Sequence, residues 1–302
     1  MSATHPAHVA APPRVDRLGW AALLIGTAII AWSGVLARML DVGPLAGAAW
    51  RMGLATPALA VWSRLSARRG GGTPGAVAAV ALPLALSGLA FAVDVGSFHV
   101  SLTGANGATT VANASFIGNV APILAVAGGV LFFREYAPAR VWPALALALV
   151  GAWVMAGMTA PSAVKWGDAF ALNAAVAYAA YLMFIKKARA RLDGPTATLI
   201  SAAVSAVLLA AAACARGETL IPSTPLGWAI VFLLGFVSHA MGQGLTSVAL
   251  GRVPVAQVAL VLLAQPPVSA GIAWALLGEG MTRLQMAGGL TILAAVFLAR
   301  PR

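Results

Sequence analysis

Runs of about 20 apolar residues recur along this chain, parted only by short clusters of arginine, glycine and proline, and that pattern leaves almost no water-soluble fold open to it. Of the 302 residues 61% are hydrophobic and only 9% charged, whereas a soluble domain carries about 25% charged residues. Too few polar side chains exist to cover a water-facing surface. The solvent implied is lipid, and the fold class predicted is an all-α integral membrane protein.

Punctuation by charges, Gly and Pro divides the chain into ten candidate transmembrane helices, at approximately 18–37, 45–63, 77–98, 107–133, 139–158, 167–185, 195–214, 226–249, 254–277 and 284–299. Residues 1–16 read as a polar tail. The run behind Arg14 and Arg17 exceeds a signal-peptide core in length and is read as a retained first helix. With the N-terminus in the cytoplasm, fourteen Lys and Arg residues fall inside, among them Arg64, Arg68, Arg69, Lys186, Lys187, Arg189 and Arg191. Only Arg38, Lys165, Arg216 and Arg283 fall outside, while Arg51 lies within the second segment. This asymmetry predicts an even number of spans with both termini cytoplasmic. Arginine far outnumbers lysine and alanine abounds, which points to a GC-rich bacterial genome.

The net charge of +11 does not predict a nucleic-acid partner, because the basic residues cluster between apolar runs rather than along one face. The single cysteine, Cys214, excludes an internal disulfide and a Cys-based zinc site. No cofactor or metal is expected. An HExxH or GxSxG constellation, which a membrane-embedded enzyme would need, is missing from the sequence. A passive channel would show rings of charge or a filter, and neither is legible.

The chain also repeats itself. In the register that lays Pro122 on Pro266, Glu135 falls on Glu279 and Asn113 on Gln257. The runs AGGVLFFRE and AGIAWALLGE, from Ala127 and Ala270, lead to the matched glutamates with one texture. Five segments per repeat is odd, so the two halves, 17–158 and 166–300, are expected to be inverted. Inverted repeats are typical of secondary transporters with a binding site near the midplane, which predicts alternating access.

The stretches ANASFIGNVAPILAVAGGVLFFRE at 112–135 and VAQVALVLLAQPPVSAGIAWALLGE at 255–279 resemble the drug/metabolite transporter superfamily, in particular the EamA-type transporters. The resemblance implies ten helices in two inverted five-helix halves and an inner-membrane carrier, often exporting amino acids, drugs or other metabolites. It leaves the cargo open.

Charged and polar groups inside apolar runs are candidates for the site, because insertion scales put a buried charge at about 2.5–3.5 kcal/mol. Asp94 is the acidic residue well inside such a run, and His99 follows it. Five helical residues rotate by about 140°, so the two point to different faces. They are read as proton-titrating or ammonium-binding groups. His239 and Gln243 are four apart and share a helical face. In the repeat register His99 falls on Gln243 and Asp94 on Ser238. Asn113, Gln257 and Trp32 complete the expected substrate-binding set. Trp32 fits an aromatic belt as well, and Arg51 fits either a carboxylate-binding group or a snorkelling side chain. Pro122 and Pro266 are read as hinges, since proline weakens the backbone ladder. Asp94→Asn is expected to alter transport and its pH dependence in vesicles; an unchanged profile would rule out proton coupling through Asp94.

Overall fold

A computed structural model describes residues 16–67, 74–102, 109, 114, 117–134, 139–155, 165–277 and 280–298. These form α1 (Arg17–Ile30), α2 (Trp32–Arg38), α3 (Pro44–Ala67), α4 (Pro74–Ala79), α5 (Ala81–Leu102), α6 (Val120–Phe133) and α7 (Val141–Met155). The second half holds α8 (Trp166–Arg189), α9 (Gly194–Ala215), α10 (Pro225–Leu250), α11 (Val255–Leu262), α12 (Gln265–Leu277) and α13 (Arg283–Leu298). No strand occurs among the described residues. Asn113, Glu135 and Glu279 lie outside them.

Six helical stretches are long and apolar enough to cross a membrane: Arg17–Ala37, Ala81–Leu102, Trp166–Arg189, Gly194–Ala215, Pro225–Leu250 and Val255–Ile272. Helices α6, α7 and α13 are shorter but equally apolar. Helix α3 has 24 residues, about 36 Å at helical rise, and carries Arg51 and Arg64. Large apolar side chains such as Leu82, Leu131, Phe132, Val207 and Leu290 are left exposed, as a lipid-facing surface requires.

The helix starts follow from local chemistry. Asp16 Oδ1 accepts the Gly19 amide at 2.8 Å, Asp193 Oδ1 accepts the Thr196 amide at 2.8 Å, and Thr224 Oγ1 accepts the Gly227 amide at 2.9 Å. Each satisfies an orphan donor of a first turn. Helix α3 takes its cap from elsewhere in the chain: Glu218 Oε2 accepts the Leu45 and Ala46 amides at 2.8 and 3.0 Å. At the same end Asp41 Oδ2 accepts from the amides and hydroxyls of Ser223 and Thr224. The Thr224 hydroxyl foremost, with Ser223 behind it, holds the Asp41 carboxyl below the usual carboxylate range. The opposite end is tied by Arg252 Nη1 to Asp16 Oδ2 at 3.0 Å.

Packing pairs α5 with α8, α3 with α9, α7 with α13 and α1 with α10, and α9 also lies against α5. Glycine lets these backbones meet. A Cβ at Gly26 would stand 2.8 Å from the Gly242 carbonyl oxygen, and one at Gly151 would stand 2.8 Å from the Gly288 carbonyl oxygen and 2.9 Å from the Ile292 amide. Without a hydrophobic drive between helices in lipid, such close approach is what holds them. Gly151→Val is expected to cost about 1–3 kcal/mol through overpacking. Thermal unfolding in detergent should show a lowered Tm, and an unchanged Tm would contradict the close α7–α13 contact.

Candidate functional site

The helices do not run unbroken, and their interruptions converge. A turn at Ala31 separates α1 from α2, Asn119 precedes α6, and Leu263–Ala264 separates α11 from α12. All three places line one cavity of about 220 Å³. Pro122 and Pro266 line it too. The sequence reads both prolines as mid-helix kinks, but Pro122 is the third residue of α6 and Pro266 the second of α12. A first-turn amide has no partner within its own helix, so proline is tolerated there and marks a restart. Irregular backbone at membrane depth is tolerated where it faces a cavity.

Helices from both halves of the chain wall the cavity. Arg51 comes from α3, Phe91, Asp94 and Phe98 from α5, Tyr178 from α8 and Gln243 from α10, with Asn119, Gln265 and Ser269 at or near the breaks. Arg51 is 7% exposed, and its Nε is buried without a hydrogen-bond partner among the described residues. Arg51 and Asp94 are close enough to interact through their charges, yet no ion pair joins them among the described residues.

Behind this wall stands an aromatic cluster. The Phe91 ring lies 4.4 Å from Tyr181, 6.4 Å from Tyr178 and 5.2 Å from His239, and the two tyrosines stack at 5.9 Å. Gln243 Nε2 donates to the Tyr181 hydroxyl at 3.1 Å. Gln243 ends an 11-residue π-helical stretch, Leu233–Gln243, inside α10. Its hydrogen bonds reach five residues instead of four, which moves the residue stacked under Gln243 from His239 toward Ser238.

The expected site residues therefore divide. Asp94, Gln243, Pro122 and Pro266 meet at the cavity. His239 is buried beside Phe91 off the cavity wall, with neither ring nitrogen partnered among the described residues. His99 turns away as well, its Nδ1 lying 2.7 Å from the Val95 carbonyl oxygen one turn back. Gln257 is 8% exposed within α11 and is not a wall residue. Trp32 is 41% exposed on the outer surface, while its neighbours Ser33 and Gly34 face the cavity. Asn113 lies outside the described residues. Sequence reasoning weighed Arg51 but left it out of the site, although a charge within a span was the available signal. Gln265 carried the signal of an amide in an apolar run but was left out of the expected set, whereas Tyr178 and Ser269 gave no such signal, because their types are common in membrane helices.

Residues 165–300 match the model of the EamA-like transporter family. This segment of the chain is similar to that family over the matched residues. It supplies Tyr178, Gln243, Gln265 and Ser269 to the cavity, and residues before it supply Arg51 and Asp94. A solved structure described only as "Crystal structure of protein" shares the fold with a TM-score of 0.73 at 18% identity, covering 92% of this chain and 98% of its own. The likeness in fold thus extends beyond the residues that match the family model. No curated protein matches the chain.

The Gln243–Tyr181 bond ties α10 to α8 beneath the cavity. Gln243→Leu and Tyr181→Phe are each expected to cost about 0.5–1.5 kcal/mol. Because they break one bond, the double variant should unfold in detergent no earlier than the weaker single variant; simple additivity would refute the coupling.

Proposed function

We propose that this protein is a secondary carrier that moves a small metabolite across a bacterial inner membrane by alternating access. The carrying observation is the cavity, which is enclosed by helices of both halves and collects the interruptions of α1–α2, α11–α12 and the start of α6. Broken helices around a central site are how secondary carriers expose backbone groups to cargo.

The pairing of helices supports two inverted five-helix repeats, 17–158 and 166–300. Exchanging the halves turns the α5–α8 contact into α10–α1 and the α5–α9 contact into α10–α3, and it turns α3–α9 and α7–α13 into themselves. All of these contacts occur. Ten spans result when α3 and the three shorter apolar helices are added to the six long ones. With the basic clusters at the cytoplasmic face, both termini are cytoplasmic. Resemblance to the drug/metabolite transporters favours export as the direction of net transport.

Size favours an amino-acid-like metabolite over a drug-like one. Pockets that bury drug-sized ligands run to about 300–1,000 Å³, and this cavity holds about 220 Å³. The hinge reading of Pro122 and Pro266 becomes one of junctions: each half-helix restarts at the cavity, and a junction can bend without breaking further hydrogen bonds.

The test is a ligand screen by thermal shift on purified protein, covering amino acids, nucleosides, polyamines and cationic drugs, followed by flux in proteoliposomes. A selective rise in Tm with matching flux, both lost in Gln243→Ala, is the expected result. Solute flux that neither saturates nor discriminates would replace the carrier by a passive channel.

A further inference from the structure

Among the described residues the cavity is lined by one basic side chain, Arg51, and one acidic side chain, Asp94, of opposite formal charge. Arg51 reaches it from α3 and Asp94 from α5, and no ion pair joins them among the described residues. A purely structural pair in so dry a setting would close to contact, because a desolvated charge is costly until it is matched. Here the guanidinium is more than nine-tenths buried, keeps an Nε unpartnered among the described residues and lines the cavity.

The two charges sum to zero, and that bounds the occupant. A singly charged solute would match one group and leave the other buried with an uncompensated charge. A solute bearing both charges would match both. The planar guanidinium fits a carboxylate by two parallel hydrogen bonds, and a carboxylate accepts well from an ammonium. Phe91, Phe98 and Tyr178 line the same cavity, so aromatic faces are available to the ammonium and apolar surface to a side chain.

We propose that Arg51 and Asp94 form a two-point reader for a small zwitterion, with Arg51 taking the carboxylate and Asp94 the ammonium of an α-amino acid. This rests on the carrier reading above and gives it a selectivity rule: cargo must carry both charges. Arg51 is then a binding residue rather than a snorkelling one, and Asp94 acts through the cargo's ammonium.

The test uses proteoliposomes holding the full chain. Probes are the common neutral L-amino acids, the matching amino-acid amides, which keep only the ammonium, and the des-amino carboxylates, which keep only the anion. Uncharged sugars complete the set. At least one amino acid is expected to move, with its amide and its des-amino acid weaker as competitors by about 100-fold or more, as for a site whose buried polar group is left unpaired. Comparison of these ligands on the unaltered protein needs no variant to fold. Among variants, Arg51→Gln should abolish amino-acid flux and Arg51→Lys restore part of it. Asp94→Asn should shift preference toward the des-amino carboxylate, a change of selectivity that a merely structural role would not produce. Equal competition by either singly charged analogue would overturn the inference. Flux confined to singly charged or uncharged probes would also overturn it while leaving the carrier reading intact. No flux of any probe would overturn both.

Discussion

Backbone polarity in hydrocarbon is the constraint on which the rest of this structure depends. No water is present at membrane depth to pair a free N–H or C=O, so a chain must satisfy each group within its own helices. That requirement explains the uniformly helical described residues, and it makes every interruption informative. The turn at Ala31, the break at Asn119 and the gap at Leu263–Ala264 could not face lipid. They face one cavity instead, and the π-helical stretch of α10 reaches the same cavity at Gln243.

The same constraint shapes what holds the bundle. Helices in lipid gain little from burying leucine against leucine, so close backbone approach and a few polar ties must serve. The contacts of Gly26 with Gly242 and of Gly151 with Gly288 are of the first kind. The ties are concentrated at the ends, where Glu218 caps α3, Asp41 clasps Ser223 and Thr224, and Arg252 meets Asp16. Asp41, Glu218 and the Asp16–Arg252 pair each join residues far apart in the sequence. The middle is left to the cavity.

Within that cavity Arg51 and Asp94 stand with opposite formal charge and no ion pair between them among the described residues, and the proposed recognition of a zwitterion rests on that arrangement. Residues 165–300, the segment similar to the EamA-like family, provide tyrosine, amide and hydroxyl groups, and among the described residues the preceding ones provide both charged side chains. Neither part alone would make the site, which is the physical reason that a match over residues 165–300 says less about cargo than the cavity does.

Much of the fold was legible in one dimension. Apolar runs of membrane length, charge clusters between them and the caps at Asp16, Asp193 and Thr224 are local properties, so composition and spacing determine helix positions and these three helix starts. Asp94, Gln243, Pro122 and Pro266 were legible as candidates because a charge, an amide or a proline inside an apolar run needs a reason, and all four line the cavity. His99, His239 and Gln257 carry the same signal and yet lie off the cavity wall, and Trp32 lies on the outer surface. Hydropathy places a residue at a depth but not at an angle around its helix, and the π-helical stretch of α10 shifts that angle. The partnership of Arg51 with Asp94, the cap that Glu218 lends to α3 and the gathering of helix breaks around one space belong to tertiary structure alone. Each joins residues far apart in sequence, and only the packing of helix against helix decides which of them meet.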